Sequence, residues 1–379
     1  MRVLMITPFY HPIMGGVESV VENFSIELNR MGIITDVMTF NFRKPWCPIP
    51  KMEVHKINEI KVIKVFALNL LPSRLHSPYL TSRVNVIPIK FTRLLHDYDI
   101  LHFHNDVDLS FPFFSIFIDK PKIFHCHVLD ATYISYKRNL MSKLILRNVA
   151  DIYIALSKLF ANFLIDLGIP EEKIRILPNG IDVKKFKPDE GQKINNLLLF
   201  VGRLEEKKGL HVLLKALEHL ETSVNLVIAG PPHNQSYYMR ILSLIDQISQ
   251  KTIHNVTYLG VVNEEEKLKL YQKASIFICP SIFDSFPMVN LEALSCGTPV
   301  VASNVGAISE VVRHQENGIL VPPGDVARLA KAIQYLLDNE EIRQKFGEEG
   351  RKWIVKNYST DIIIRRLCQI YKEAIFRKY

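Results

Sequence analysis

The sequence predicts an α/β protein built from two doubly wound domains. Short apolar runs alternate with amphipathic helical patterns along most of the 379 residues, as parallel sheets covered by helices on both faces require. The strand, loop and helix that open such a domain occur twice, once at Arg2 and again at Leu197. The length is enough for two domains that each bury a core of their own.

The first opening runs from a strand at Arg2 to Thr7, through the loop Pro8 to Gly16, into a helix from about Val17 to Met31. Val20, Val21, Phe24 and Leu28 stand at helical spacing along it. Lys122 to Cys126 reads as a later strand of the same domain. The second opening is the strand Leu197 to Val201, the loop Gly202 to Gly209, and a helix carrying Val212, Leu213 and Leu217. Between the two, Leu177-Pro-Asn-Gly-Ile-Asp182 and the Lys/Pro/Asp-rich stretch through Gln192 read as a connection, so the domains are expected at 1–180 and 190–358. Ala274 to Pro280 reads as a buried strand. A turn holding Asp284 and Ser285 follows, then a helix from about Met288 to Ser295, with Pro287 where a first-turn proline is tolerated. From about Tyr358 to Tyr379 the pattern is helical, with Ile362, Ile363, Leu367, Ile370 and Tyr371 on the apolar face.

Composition narrows the functional classes. The five cysteines, Cys47, Cys126, Cys279, Cys296 and Cys368, lack C-x-x-C spacing, so neither a disulfide framework nor a zinc module is expected. Arg2 to Ile6 leads straight into a motif loop, and no apolar run reaches the ~18 residues of a spanning helix. A cytoplasmic protein, soluble or peripheral on the membrane, is therefore expected. The net charge of +8 is concentrated: between Arg43 and Arg93, ten Lys or Arg stand against Glu53 and Glu59 alone. Such a window suits an acidic partner, and it also suits solvated Lys-rich loops. Aromatic residues are not interleaved there in a stacking pattern, so nucleic acid is not expected as a partner.

The chemistry concentrates around Asp284 and Glu292. They bracket a helix start whose first N–H groups, from Met288, Val289 and Asn290, lack intrahelical partners and offer an anion cradle. Two carboxylates on either side of such a cradle can grip hydroxyls at both ends of a ligand whose phosphates lie between them, which describes a nucleotide sugar. The competing reading is a helix cap and an ordinary exposed Glu. Arg203 and Lys208 leave the first strand of the second domain at its carboxyl end, where two cations would neutralise a diphosphate. Gly15-Gly16, in the first strand-to-helix turn, permits close approach of a ligand to the backbone. Its spacing is not the G-x-G-x-x-G of a dinucleotide site, which counts against a dehydrogenase. His102 and His104, and His125 and His127, alternate along two strands, so four imidazoles can converge as a zinc site or, the preferred reading, stand as polar ends of parallel strands. Asp106-Val-Asp108 has a D-x-D pattern but begins a predicted helix, where a capping role is preferred. No metal site is expected.

Pro280-Ser281, the Asp284/Glu292 pair, the run from Glu292 to Ser303, Gly15-Gly-Val-Glu18, His127, and the Gly202-Arg203 and Lys208-Gly209 pieces together resemble the retaining glycosyltransferases of family 4, also called group 1. The first acid is usually Glu in that family and here is Asp284, one methylene shorter. The resemblance implies the GT-B architecture: two facing Rossmann-like domains, with a C-terminal helix of about 359–379 crossing back to the first. It implies catalytic roles for His127, Arg203, Lys208 and Asp284. Donor contacts would come from Gly15, Gly16, Phe286, Pro287, Met288, Val289 and Glu292. It further implies a nucleotide-diphosphate sugar as co-substrate with no cofactor, a hydroxyl acceptor that is lipid-linked or a glycan, no metal, and retention at the anomeric carbon. Phosphatidylinositol glycosyltransferases of this family use a basic surface on the acceptor domain. Peripheral binding of anionic membranes through the Arg43 to Arg93 window is thus expected, in competition with a soluble acceptor. Nucleotide-sugar epimerisation, sugar-phosphate synthesis and non-catalytic nucleotide-sugar binding are the alternatives on the same fold.

Overall fold

A computed structural model describes the chain apart from residues 14, 45–46, 50, 70–85, 89–90, 105–108, 128–139, 190 and 192. It forms two compact units, Met1–Pro178 with Ile363–Tyr379, and Asn179–Ile362.

The first unit is built on an eight-stranded sheet of β1 (Arg2–Ile6), β2 (Ile34–Phe40), β3 (Glu53–Ile57), β4 (Ile60–Val65), β5 (Ile100–His104), β6 (Lys122–Cys126), β7 (Ile152–Ala155) and β8 (Ile174–Ile176). Their spatial order is β8-β7-β6-β5-β1-β2-β4-β3. Neighbours pair in parallel except β3 and β4, a hairpin turning at Asn58 and Glu59, which both have positive φ as a two-residue type I′ turn demands. The strands β5, β6 and β7 are buried along their whole length, because helices cover both faces and leave no solvated side to alternate toward. The helix Gly16–Arg30 lays Val21, Phe24 and Leu28 on the sheet beside Val3 and Met5. The C-terminal helix, Thr360–Lys378, joins the same core through Ile363, Ile364, Leu367, Ile370 and Tyr371. Its buried stripe includes Ile364, while Ile362, expected on that face, is half-exposed. Each such buried side chain contributes roughly 1.5–3 kcal/mol, which anchors the last helix far better than its own helix propensity would.

The second unit has an all-parallel six-stranded sheet of β9 (Ile194–Val201), β10 (Asn225–Ala229), β11 (Asn255–Gly260), β12 (Ala274–Cys279), β13 (Val300–Ser303) and β14 (Gly318–Val321). The order is β11-β10-β9-β12-β13-β14. Hydrophobic clusters fill both faces, one around Leu213, Leu226 and Ile333, the other around Tyr271, Phe277 and Leu291. Strand order reverses between β9 and β12 here, and between β1 and β5 in the first sheet. Adjacent connections diverge at such a reversal and open a crevice beyond the carboxyl ends of the strands. The loops after β9 and β12 therefore rise on either side of the crevice of the second unit.

Candidate active site

Those two loops are clamped together. The N–H groups of Ile282 and Phe283 both donate to the Lys207 carbonyl, at 2.8 and 3.3 Å. As a result Lys208 Nζ donates to Asp284 Oδ2 at 2.7 Å, and Ser281 Oγ donates to the same oxygen at 3.4 Å. Asp284 is 6% exposed. Burial works against the Lys208 ammonium, but the adjacent Asp284 carboxylate outweighs it and holds the lysine pKa above its ordinary value. A third loop supports the pair from behind. Gly306, at φ +56°, packs so tightly that a Cβ there would lie 1.8 Å from the Asp284 carbonyl oxygen.

Arg203 is not part of this pair. Its exposed guanidinium lies 3.0 Å from Glu205, a buried carboxylate that also has Lys207 at 3.8 Å and His233 at 4.0 Å. Glu205 was not anticipated from sequence. An acid two residues after Arg203 reads as one more charge in a surface turn, and only its burial reveals it as the counter-charge beside the arginine.

The helix start differs from expectation. Pro287 occupies the cap position itself, with φ −88° and ψ 75°, and Met288 N–H donates to the Phe286 carbonyl at 3.1 Å, an inverse γ-turn. Asn290 N–H donates to the Pro287 carbonyl at 3.0 Å. Two of the three donors expected to form the cradle are thus already engaged, because the proline turn folds the chain onto its own carbonyls. Phe286, Met288 and Val289 are half-buried against the helix core.

One turn later, Glu292 is buried and accepts from Lys267 Nζ and from Tyr271 OH, both at 2.7 Å. Burial first, then the Glu292 charge, push the Tyr271 pKa far up, so the phenol remains a donor. Lys267 and Tyr271 come from the helix Glu264–Lys273, four residues apart and hence on one face. That spacing is legible in the sequence, whereas its meeting with Glu292 is not.

In the first unit, Gly15 caps the opening helix and Glu18 folds back over the start. Desolvation raises the Glu18 pKa, against the backbone N–H groups of Glu18 and Gly15 that bond its carboxylate. A side chain at Gly15 would meet Glu18 Oε2 at 2.9 Å, whereas Gly16 borders open space. His127 follows β6 and is buried, with its Nε2 3.0 Å from His104 Nδ1. Burial drives its pKa down to about 3, so the ring is neutral at physiological pH. His102, His104 and His125 lie with it, each fully buried. Among the described residues, Nε2 of His102 and both ring nitrogens of His125 have no hydrogen-bond partner, an omission that costs about 1–3 kcal/mol per group. Asp106 and Asp108 lie outside the described residues, as does much of the Arg43 to Arg93 window. A separate cavity of about 630 Å³ opens at the amino ends of the second sheet, lined in part by Lys193, Ser275, Cys296 and Arg351. Ligands of open α/β sheets bind at the other end.

Two Rossmann-like units, the second with acids and cations at its strand-order reversal, define the class of fold, and known proteins share it. The profile of Glycosyl transferases group 1 matches residues 182–353, and that of Glycosyltransferase Family 4 matches residues 14–185. An uncharacterized glycosyltransferase of Methanocaldococcus jannaschii is 26% identical across 99% of both chains. A phosphatidyl-myo-inositol mannosyltransferase of Mycobacterium leprae is 26% identical over 98% of this chain and 96% of its own. Among solved structures, Anabaena HepE in complex with UDP superposes with a TM-score of 0.74 at 18% identity, covering 98% of this chain and 100% of that one. The fold is that of the GT-B enzymes. The chain belongs to the group 1, family 4 glycosyltransferases.

Proposed function

We propose that this glycosyltransferase moves a sugar from a nucleoside-diphosphate sugar to a hydroxyl acceptor, with retention and without a metal at the phosphates. The observation that carries this reading is the Lys208–Asp284 pair, a cation and a carboxylate held 2.7 Å apart on the two loops of one crevice. In the reaction the bond from the anomeric carbon to the diphosphate oxygen breaks and the acceptor oxygen bonds to the same face. The acceptor proton passes to the leaving phosphate. Lys208 and Arg203 oppose the charge that develops on the diphosphate. Asp284 holds the sugar on the second unit, His127 is assigned to the sugar by the family resemblance alone, and Glu292 takes the ribose hydroxyls with the lone pairs that Lys267 and Tyr271 leave. Phe286, Pro287, Met288 and Val289 form the donor loop. A phosphate approaching Gly15 and Gly16 competes with the Glu18 carboxylate for the helix start.

A panel of UDP-, GDP- and ADP-sugars tests the donor. The matching one, at 100 times its dissociation constant, should stabilise the protein by ~2.7 kcal/mol, and no stabilisation by any of them overturns the reading. Transfer should persist through brief EDTA treatment, and loss restored by Mg²⁺ or Mn²⁺ would place a metal at the phosphates. The anomeric coupling constant of the product reads retention. Donor turnover without an acceptor would favour epimerisation instead.

For the acceptor we propose a lipid presented at an anionic membrane. The β3–β4 hairpin, within the basic window, leaves Val54 and Met52 exposed (55% and 42%) beside exposed Lys51 and Lys56. Lys56 stands directly across from Lys61, a like-charge pair that an anionic surface would relieve. The Mycobacterium leprae relative is named for a phosphatidyl-myo-inositol substrate. The competing explanation is an edge strand protected by lysines against pairing with another chain. Vesicles containing anionic lipid should sediment the protein at low salt and release it as salt rises, each near-surface cation contributing ~1 kcal/mol at most. Equal recovery in the supernatant with neutral and anionic vesicles would remove the membrane and leave the glycosyl transfer standing.

A further inference from the structure

One face of the first sheet carries a set of side chains that glycosyl transfer does not use. Met5 on β1, His102 and His104 on β5, and His125 on β6 share that face, since Met5 pairs with His102 and His104 with His125 in the parallel register. All four are fully buried. Phe24 of the opening helix lies against the rings of His104 and His125, and Tyr371 of the C-terminal helix is hydrogen-bonded to His102 Nδ1 at 2.8 Å. One nitrogen from each of His102, His104 and His125 lies within 4.8 Å of the other two.

Three imidazoles in an apolar core are difficult to satisfy by hydrogen bonds alone. His102 spends Nδ1 on Tyr371, which leaves its Nε2, and His104 spends Nδ1 on His127 and Nε2 on Met5; among the described residues neither nitrogen of His125 has a hydrogen-bond partner. His104 Nε2 is 3.2 Å from the Met5 thioether, itself a soft ligand. Burial keeps all three rings neutral, the state in which imidazole ligates. Among the described residues no carboxylate belongs to the group, so its donor set is nitrogen with sulfur, which suits late first-row transition metals and not Mg²⁺ or Ca²⁺.

We propose that His102, His104 and His125 bind one late first-row transition-metal ion, with Met5 beside it. Metal–nitrogen bonds of about 2.0–2.1 Å require the three nitrogens to draw in to roughly 3.4 Å of one another, which rotation of the imidazoles supplies. The ion ties β1, β5 and β6 together beneath the C-terminal helix. It also sets a tautomer. With Nε2 of His104 on the metal, its proton resides on Nδ1 and is donated to His127 Nε2, so that His127 carries its own proton on Nδ1. This last consequence rests on the role of His127 in sugar binding, whereas the site itself does not.

The test uses the full-length protein stripped by a chelator and titrated with Co²⁺, then Zn²⁺. Wild type should develop the visible bands of low-symmetry Co²⁺, saturating at one ion per chain and bleached by Zn²⁺, and Zn²⁺ should raise Tm. His125→Phe keeps a ring against Phe24 and should lose both responses. No visible bands at saturating Co²⁺ in wild type, or bands unchanged in a folded His125→Phe, overturns the proposal. X-ray absorption of Zn²⁺-loaded wild type needs no variant: an imidazole shell near 2.0 Å supports the site, and an oxygen-only shell removes it. None of these readouts depends on transfer activity.

Discussion

Lys208→Ala should lower kcat by about 10²-fold while the protein remains folded. The ammonium opposes charge that grows on the departing diphosphate, so its contribution is larger in the transition state than in the ground state. It is also well placed to act without reorganisation, being held by Asp284 at 2.7 Å with its charge reinforced by that carboxylate. Removing it leaves Asp284 buried without its cation, which costs stability as well, and circular dichroism with a thermal scan separates that loss from the kinetic one. Lys207→Ala is the matched control. Lys207 is the adjacent residue, but it lies 3.8 Å from Glu205 and is absent from the Asp284 pair, so kcat should stay within about twofold. Turnover by Lys208→Ala within about threefold of wild type would remove Lys208 from the chemistry.

Gly306→Ala should damage both the stability of the second unit and its activity. At φ +56° any L-residue is strained, and the added methyl would fall 1.8 Å from the Asp284 carbonyl oxygen, an overlap that only backbone movement can relieve. A loss of about 2–4 kcal/mol is expected, and with it a Tm lowered by roughly 5–10 °C. Because the backbone that must yield belongs to Asp284, kcat should fall by about 10-fold or more as well. Gly324→Ala isolates the conformational part: φ is +74° there with nothing within 4 Å of the added methyl, so about 1 kcal/mol is lost and activity is unchanged. Equal Tm and equal kcat for Gly306→Ala and Gly324→Ala would show that the loop behind Asp284 is not tightly packed.

Much of the architecture follows from patterns that a few consecutive residues can express. The strand Lys122–Cys126 and the helix Met288–Ser295 have the limits that apolar periodicity and Pro287 suggest, since each element closes its hydrogen bonds within itself or with an immediate neighbour and buries one continuous run. The acids at 284 and 292 are legible as a pair for the same reason, their separation being set by one turn and one helix. The helix start was read less well. Pro287 suggested a first-turn proline, but it takes the cap position and the chain forms a γ-turn that engages Met288 N–H.

Partnerships across the chain needed the tertiary structure. Lys208 meets Asp284 over 76 residues because β9 and β12 are neighbours in the sheet, and strand order is decided by how helices cover the two faces, not by any feature of either loop. Glu205 is an ordinary acid in the sequence, and Glu292 is legible there only as half of a pair, without its partners. One becomes the buried counter-charge of Arg203, the other the acceptor of Lys267 and Tyr271, because desolvation depends on what other segments pack over them. The histidines divide along the same line. Alternation along β5 places His102 and His104 on one face, a property of any strand. That His125 joins them is due to the parallel register that sets it opposite His104, and that the group is sealed from water is due to Phe24 and Tyr371, the latter 269 residues from its partner His102. Sequence determines what repeats within about ten residues, through backbone hydrogen bonding and apolar period. Burial and charge pairing are determined only when distant segments close over one another.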